Sequence, residues 1–274
     1  ETENQGEQQR SPTHASIWAA VRAADVDGIC VQLAAGAAID EADEKGRTPL
    51  MVACAAGDSC IANYLLNALS PPASVAARTL EDWTPLMIAC GGGWLDVVKI
   101  LMAAGAALWD KDSVYGSNTL MWACGGGHVN VVRFLLENGA LELLSSVNTD
   151  MWSPLMIASD AGSLETARTL VEAGADLNGY NNDGCTALDL AIAGNHRVLE
   201  CYLRGEGART SAEFWDAADT GDAATVSNIL KCNGHLVDAV DRNGRTALLL
   251  GCVGGYMKLA KILVEAGSDV RLSR

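Results

Sequence analysis

Nine cysteines and four histidines are the residues of this 274-residue chain best suited to chemistry. Together they could hold a zinc ion, but only where four side chains converge on one point. Cys54, Cys90, Cys124 and Cys252 each follow a Thr or Asn by six residues, so they recur in one phase of a repeating pattern and form a row rather than a cluster. There is no Cys-x-x-Cys pair, and the odd count reads as reduced thiols in an intracellular compartment. His14, His128, His196 and His235 are scattered. The glycine triplets at 91–93 and 125–127 have the composition of a phosphate cradle, but they follow a helical pattern rather than a strand. With no nucleophile elbow and no His-Glu-x-x-His, the expectation is a chain that is not an enzyme, with no catalytic residue, no metal and no cofactor.

The carboxylates outnumber the cations, 34 to 19, for a formal charge of −15. A nucleic-acid-binding surface works by neutralising phosphates, so that partner class is excluded. Asp40, Glu41, Asp43 and Glu44 form one acidic cluster, Glu81 and Asp82 a second, Asp110 and Asp112 a third. Solvated turn residues are the first reading of these clusters, and an acidic row that steers a basic partner is the second. Apolar residues make up 49% of the chain but aromatics only 5%, which suits thin helices packed closely. No apolar run reaches the length of a membrane span, so no transmembrane segment is expected. The cytoplasm is the expected compartment, with an organellar stroma or matrix as the alternative if a targeting leader has been removed.

The elements that must position these residues repeat. The segments TPLMVAC at Thr48, TPLMIAC at Thr84 and SPLMIAS at Ser153 are near copies, with weaker ones at Asn118, Thr186 and Thr246 and degenerate ones at Ala15 and Ala212. Successive starts differ by 33, 36, 34, 35, 33, 26 and 34 residues. In each unit a Thr or Ser caps a short apolar helix, and Pro stands in the first turn, where its missing N–H costs nothing. A glycine ends that helix, a longer amphipathic helix follows, and a second glycine closes it. Neither helix can bury its apolar face alone, whereas stacked neighbours can.

These residues resemble the ankyrin-repeat family, whose hallmark is a unit of about 33 residues with the pattern T-P-L-H-x-A. The resemblance runs over residues 17–270. It implies an all-α solenoid of about eight helix-turn-helix units, including degenerate capping units, joined by hairpin-like fingers. Met51, Met87, Met121 and Met156 replace the family's His, so stacking is expected without the hydrogen bonds that His supplies between repeats. His128 and His196 occupy the Gly-His slot that opens the second helix.

The organisation expected is a flexible polar leader at 1–14, an array at 15–204, a shortened connection or bend at 205–211, and further repeats at 212–274. The resemblance implies binding of another protein through a concave face and finger tips, by an adaptor or scaffold. A permanent subunit of a larger complex, and the regulatory array of an enzyme whose catalytic domain lies elsewhere, stand as alternatives. Trp83, Trp109, Tyr115, Trp152 and Tyr180 fall in or beside fingers and are read as anchors for a partner with apolar and basic groups, with Asp110 and Asp112 flanking them. Gly91, Gly92, Gly125 and Gly126 are read as a smooth floor that lets the partner approach. Leu143 and Leu144 lie in an unusually apolar finger and mark a second contact site.

Overall fold

A computed structural model of the chain describes residues 16–241 and 243–270, the side chains of Cys232 and His235 excepted. The expected leader at 1–14 and the last four residues, 271–274, lie outside the described residues. The chain divides into two compact units, one ending at Val114 and the other beginning at Tyr115.

Among the described residues the first unit holds three helix pairs: α1 (Ile17–Arg22) with α2 (Val26–Ala34), α3 (Pro49–Ala56) with α4 (Ser59–Asn67), and α5 (Pro85–Gly92) with α6 (Leu95–Ala103). The second holds five: α7 (Thr119–Gly125) with α8 (Val129–Glu137), α9 (Pro154–Asp160) with α10 (Leu164–Glu172), α11 (Ala187–Ala193) with α12 (Arg197–Gly205), α13 (Ala212–Thr220) with α14 (Ala223–Cys232), and α15 (Ala247–Val253) with α16 (Met257–Glu265). Helices this short are marginal alone, so packing must hold them. In α3 every residue from Pro49 to Cys54 is buried, as expected of a helix that is apolar all round. In α8 only Val131, Val132, Leu135 and Leu136 are buried, the stripe of an amphipathic helix. Each buried leucine contributes roughly 2 kcal/mol.

The caps follow the repeated motif. Thr48, Thr84, Asn118, Ser153, Thr186 and Thr246 each accept the N–H three residues on, at 3.0–3.4 Å. The methionines that replace the family's His are buried. Met51 Sδ accepts the Thr48 N–H at 3.4 Å, and Met156 Sδ the Ser153 N–H at 3.5 Å.

Ties between repeats come from the fingers' backbones instead. In the first unit Leu80 N donates to Lys45 O and Ser113 N to Glu81 O. In the second, Thr149 N donates to Tyr115 O and Asn182 N to Asp150 O. Each finger is closed by a polar side chain accepting its own N–H groups. Asp43 takes those of Lys45 and Arg47, Asn148 those of Asp150 and Trp152, Asn181 those of Asp183 and Cys185, and Asp241 those of Asn243 and Arg245. Burial pushes the Asp43 and Asp241 carboxyls up, but the bonds from Arg47 and Lys45 to the one, and from Arg245 and Asn243 to the other, together outweigh it and hold both below their ordinary value.

Candidate protein-binding surface

The finger residues singled out by the sequence divide by burial. Trp109 is 53% exposed and Tyr115 50%. Trp83 and Trp152 are half-buried, each held by its backbone in the finger turn: Trp83 N donates to Thr79 Oγ1 and Trp152 N to Asn148 Oδ1. Tyr180 has little surface for a partner. It is 5% exposed and packs edge-on against Phe214, ring centroids 6.4 Å apart. Burial, followed by the Glu213 and Asp189 charges, pushes its phenol up to about 12.

Asp110 and Asp112 are not a free acidic pair. Arg78 Nη2 lies 2.6 Å from Asp110 Oδ1, a partly exposed ion pair of modest value. Asp112 is buried and accepts the Val114 N–H at 3.0 Å. Leu143 and Leu144 need a similar correction. The run expected as an exposed apolar finger forms a 3-10 turn, Ala140–Ser145, packed on α8 and α9, which buries both leucines and leaves Leu141 outside.

The glycine floor also changes character. A Cβ added to Gly92 would meet the Trp94 indole, so the chain's own side chain fills the space expected for a partner. A Cβ on Gly125 would make an ordinary 3.5 Å contact with Ile157. Gly126 is exposed with φ −78°, a conformation open to any residue. Gly91 is half-buried within α5.

Trp94 belongs to a recurring device. The residue just before the second helix lies across the turn glycine of the preceding repeat: Trp94 over Gly57, Ser163 over Gly127, His196 over Gly162 and Tyr256 over Gly221. His196 Nε2 is also 3.0 Å from the Asp160 carbonyl.

Two residues of the surface escaped the sequence reading. Leu80 is 78% exposed, and Val114 is exposed as well. In the first unit Leu80 and Trp109 stand on neighbouring fingers joined by the Ser113–Glu81 backbone bond and the Arg78–Asp110 pair. An apolar residue inside an otherwise polar finger was the available signal.

The row of cysteines splits as well. Cys54, Cys90 and Cys124 are buried, and Cys30, Cys60, Cys201 and Cys252 are exposed. Burial pushes the Cys54 thiol up to about 12 and raises Cys90 further. Since the thiolate is the nucleophile, iodoacetamide is expected to label the four exposed cysteines in the native protein and to reach Cys54 and Cys90 only in denaturant. Peptide mass mapping reads this directly, and labelling of Cys90 in the native protein would contradict its burial.

A family profile described as Ankyrin repeats matches the chain in three copies, at residues 16–112, 69–143 and 140–213. The chain belongs to the ankyrin-repeat family, an all-α fold whose members are generally protein–protein interaction modules. It is 33% identical over 251 residues to "Ankyrin repeat and KH domain-containing protein mask-1" of Caenorhabditis elegans, covering 88% of this chain and 8% of that protein. It is 32% identical over 127 residues to "Ankyrin repeat and SAM domain-containing protein 6" of Danio rerio, covering 43% of this chain and 17% of that one. With "Cyclin-dependent kinase 4 inhibitor B" of Rattus norvegicus it shares 30% identity over 122 residues, 42% of this chain and 93% of the relative. The chain thus spans under a fifth of the length of the first two. Among the described residues no helix is long and apolar enough to cross a membrane.

Proposed function

We propose that the chain is a binding module that recognises a partner protein through its finger tips, with the pair of fingers carrying Leu80 and Trp109 as the principal contact. The observation that carries this reading is the exposure of two large apolar side chains on adjacent fingers whose backbones are hydrogen-bonded to each other. Fingers already tied in place lose little freedom on binding, so more of the contact energy appears as affinity. A partner with an apolar patch and basic groups suits this surface, given the chain's net charge of −15. The rat relative adds support from size: by its name it inhibits another protein, and nearly all of it aligns with fewer than half of the residues here.

The test is site-specific photo-crosslinking. A benzophenone residue at position 80 is expected to capture a discrete partner that the same group at Asn63, on the exposed side of α4, does not. Trp109→Ala is expected to weaken that partner's binding by about 2 kcal/mol, roughly 30-fold, with the melting temperature unchanged. Identical capture from positions 80 and 63, or a Trp109→Ala variant that loses stability but keeps affinity, would sink this assignment.

A further inference from the structure

In the second unit one finger is absent. The repeats beginning at Thr186 and Ala212 are only 26 residues apart, and the short connection between them is fastened down. Arg209 N donates to Asn178 Oδ1 at 2.7 Å, Arg209 O accepts from Thr186 Oγ1 at 2.8 Å, and Ser211 N donates to Asp189 Oδ2 at 2.7 Å. Where a finger would stand there is a groove of about 720 Å³, bounded by the fingers carrying Asp183 and Asp241. Trp215, Ile192 and Val240 supply its apolar surface, and Ile192 and Val240 are exposed. Among the described residues its charged lining is Asp183, Asp189, Asp216 and Asp241.

A second observation concerns the backbone. In four earlier fingers the residue three before the helix cap (Lys45, Glu81, Tyr115, Asp150) offers its carbonyl to an N–H of the next finger. Asp183 holds the same place before Thr186, yet among the described residues no backbone N–H reaches its carbonyl. Among the described residues that carbonyl takes only a long contact from the Cys185 thiol, at 3.9 Å, so the groove presents a weakly engaged main-chain acceptor, an apolar wall and an anionic rim together.

We propose that this vacant finger position is a docking site for an extended, basic peptide segment of a partner protein. The segment's backbone N–H bonds the Asp183 carbonyl, an aliphatic side chain lies on Trp215 and Ile192, and flanking Lys or Arg residues meet Asp183 and Asp216. Asp241 takes a smaller share because Arg245 already neutralises it, Nη2 to Oδ2 2.7 Å. The site is separate from the Leu80 and Trp109 surface and stands without it.

Selection from a phage-displayed library of random dodecapeptides tests the proposal. The wild-type chain is expected to enrich peptides with an aliphatic residue flanked by Lys or Arg. The same peptides, made synthetically and followed by fluorescence anisotropy, should bind an Asp183→Asn/Asp216→Asn variant about tenfold more weakly or worse. Both positions are exposed, so circular dichroism and melting should not change. Ile192→Lys, which places a cation on the groove wall, should weaken the peptides similarly, whereas Trp109→Ala should leave them unaffected. Failure to enrich any peptide, enrichment of acidic peptides, or equal binding to the double-Asn variant and the wild type would each overturn the proposal.

Discussion

Phe214→Ala is expected to destabilise the C-terminal repeats by about 4 kcal/mol, among the largest costs any single truncation would carry. Phe214 is fully buried at the head of α13, with the Trp215 ring edge-on at 4.9 Å and Tyr180 at 6.4 Å. The same cluster gathers Val226, Leu230, Leu236, Leu259 and Leu263 from the elements that follow. In a repeat array each unit contacts chiefly its neighbours, so the loss should be local rather than global. Hydrogen exchange should therefore show protection collapsing across α13 to α16 while α7 to α10 hold theirs. Uniform loss across the second unit would mean that its five repeats unfold as one block.

Tyr180 gives the same cluster a dependence on pH. Its phenol is raised to about 12 by burial and by nearby carboxylates, against about 10 in the unfolded chain. The neutral form is the one the fold accepts. Below pH 10 both states hold the proton and the contribution is complete. Between pH 10 and about 12 the unfolded chain releases its proton first, so stability falls, by about 3 kcal/mol in all. Tyr180→Phe should remove this alkaline component from the urea midpoint, because the substituted ring has nothing to ionise.

How much of this was legible in the sequence depends on whether the signal lay along the chain or across it. The caps, the turn glycines and the apolar stripes are local, and Thr48, Gly57 and Leu135 do what their positions in the motif predict. The finger aromatics looked alike because spacing places a residue in a finger without saying which way its side chain turns. Tyr180 and Trp109 share that context, yet the missing finger after α12 lets Phe214 come up beneath Tyr180, while Trp109 stays outside. Leu143 and Leu144 looked exposed because a 3-10 turn carries no periodic signature strong enough to show which residues face inward. The 26-residue step announced a missing finger, but the groove it leaves depends on Asp189 and Asn178 holding the connection aside, which is a contact across repeats.

Two glycines beside the Trp94 ring should respond to substitution in opposite ways once that ring is gone. Gly57 has φ +73°, and a Cβ there would collide with the six-membered part of the indole. Gly92 ends α5, and its Cβ would collide with the pyrrole edge of the same ring. For Gly57→Ala two costs add: a left-handed backbone for a residue with a side chain, about 1 kcal/mol, and displacement of the indole, about 2 kcal/mol. Gly92→Ala carries only the second, since its backbone is already helical. In a Trp94→Ala background the displacement cost vanishes for both. Gly57→Ala should then still destabilise by about 1 kcal/mol, whereas Gly92→Ala should become stabilising by up to about 1 kcal/mol, the ordinary helix preference of alanine over glycine. The double-mutant cycles measured by urea denaturation should give a coupling near 2 kcal/mol in each case, opposite to the additivity expected of sites without shared contacts. A Gly92→Ala variant that destabilises equally with and without Trp94 would show that the indole does not occupy that space in solution, and the account of the wedge between these repeats would fail with it.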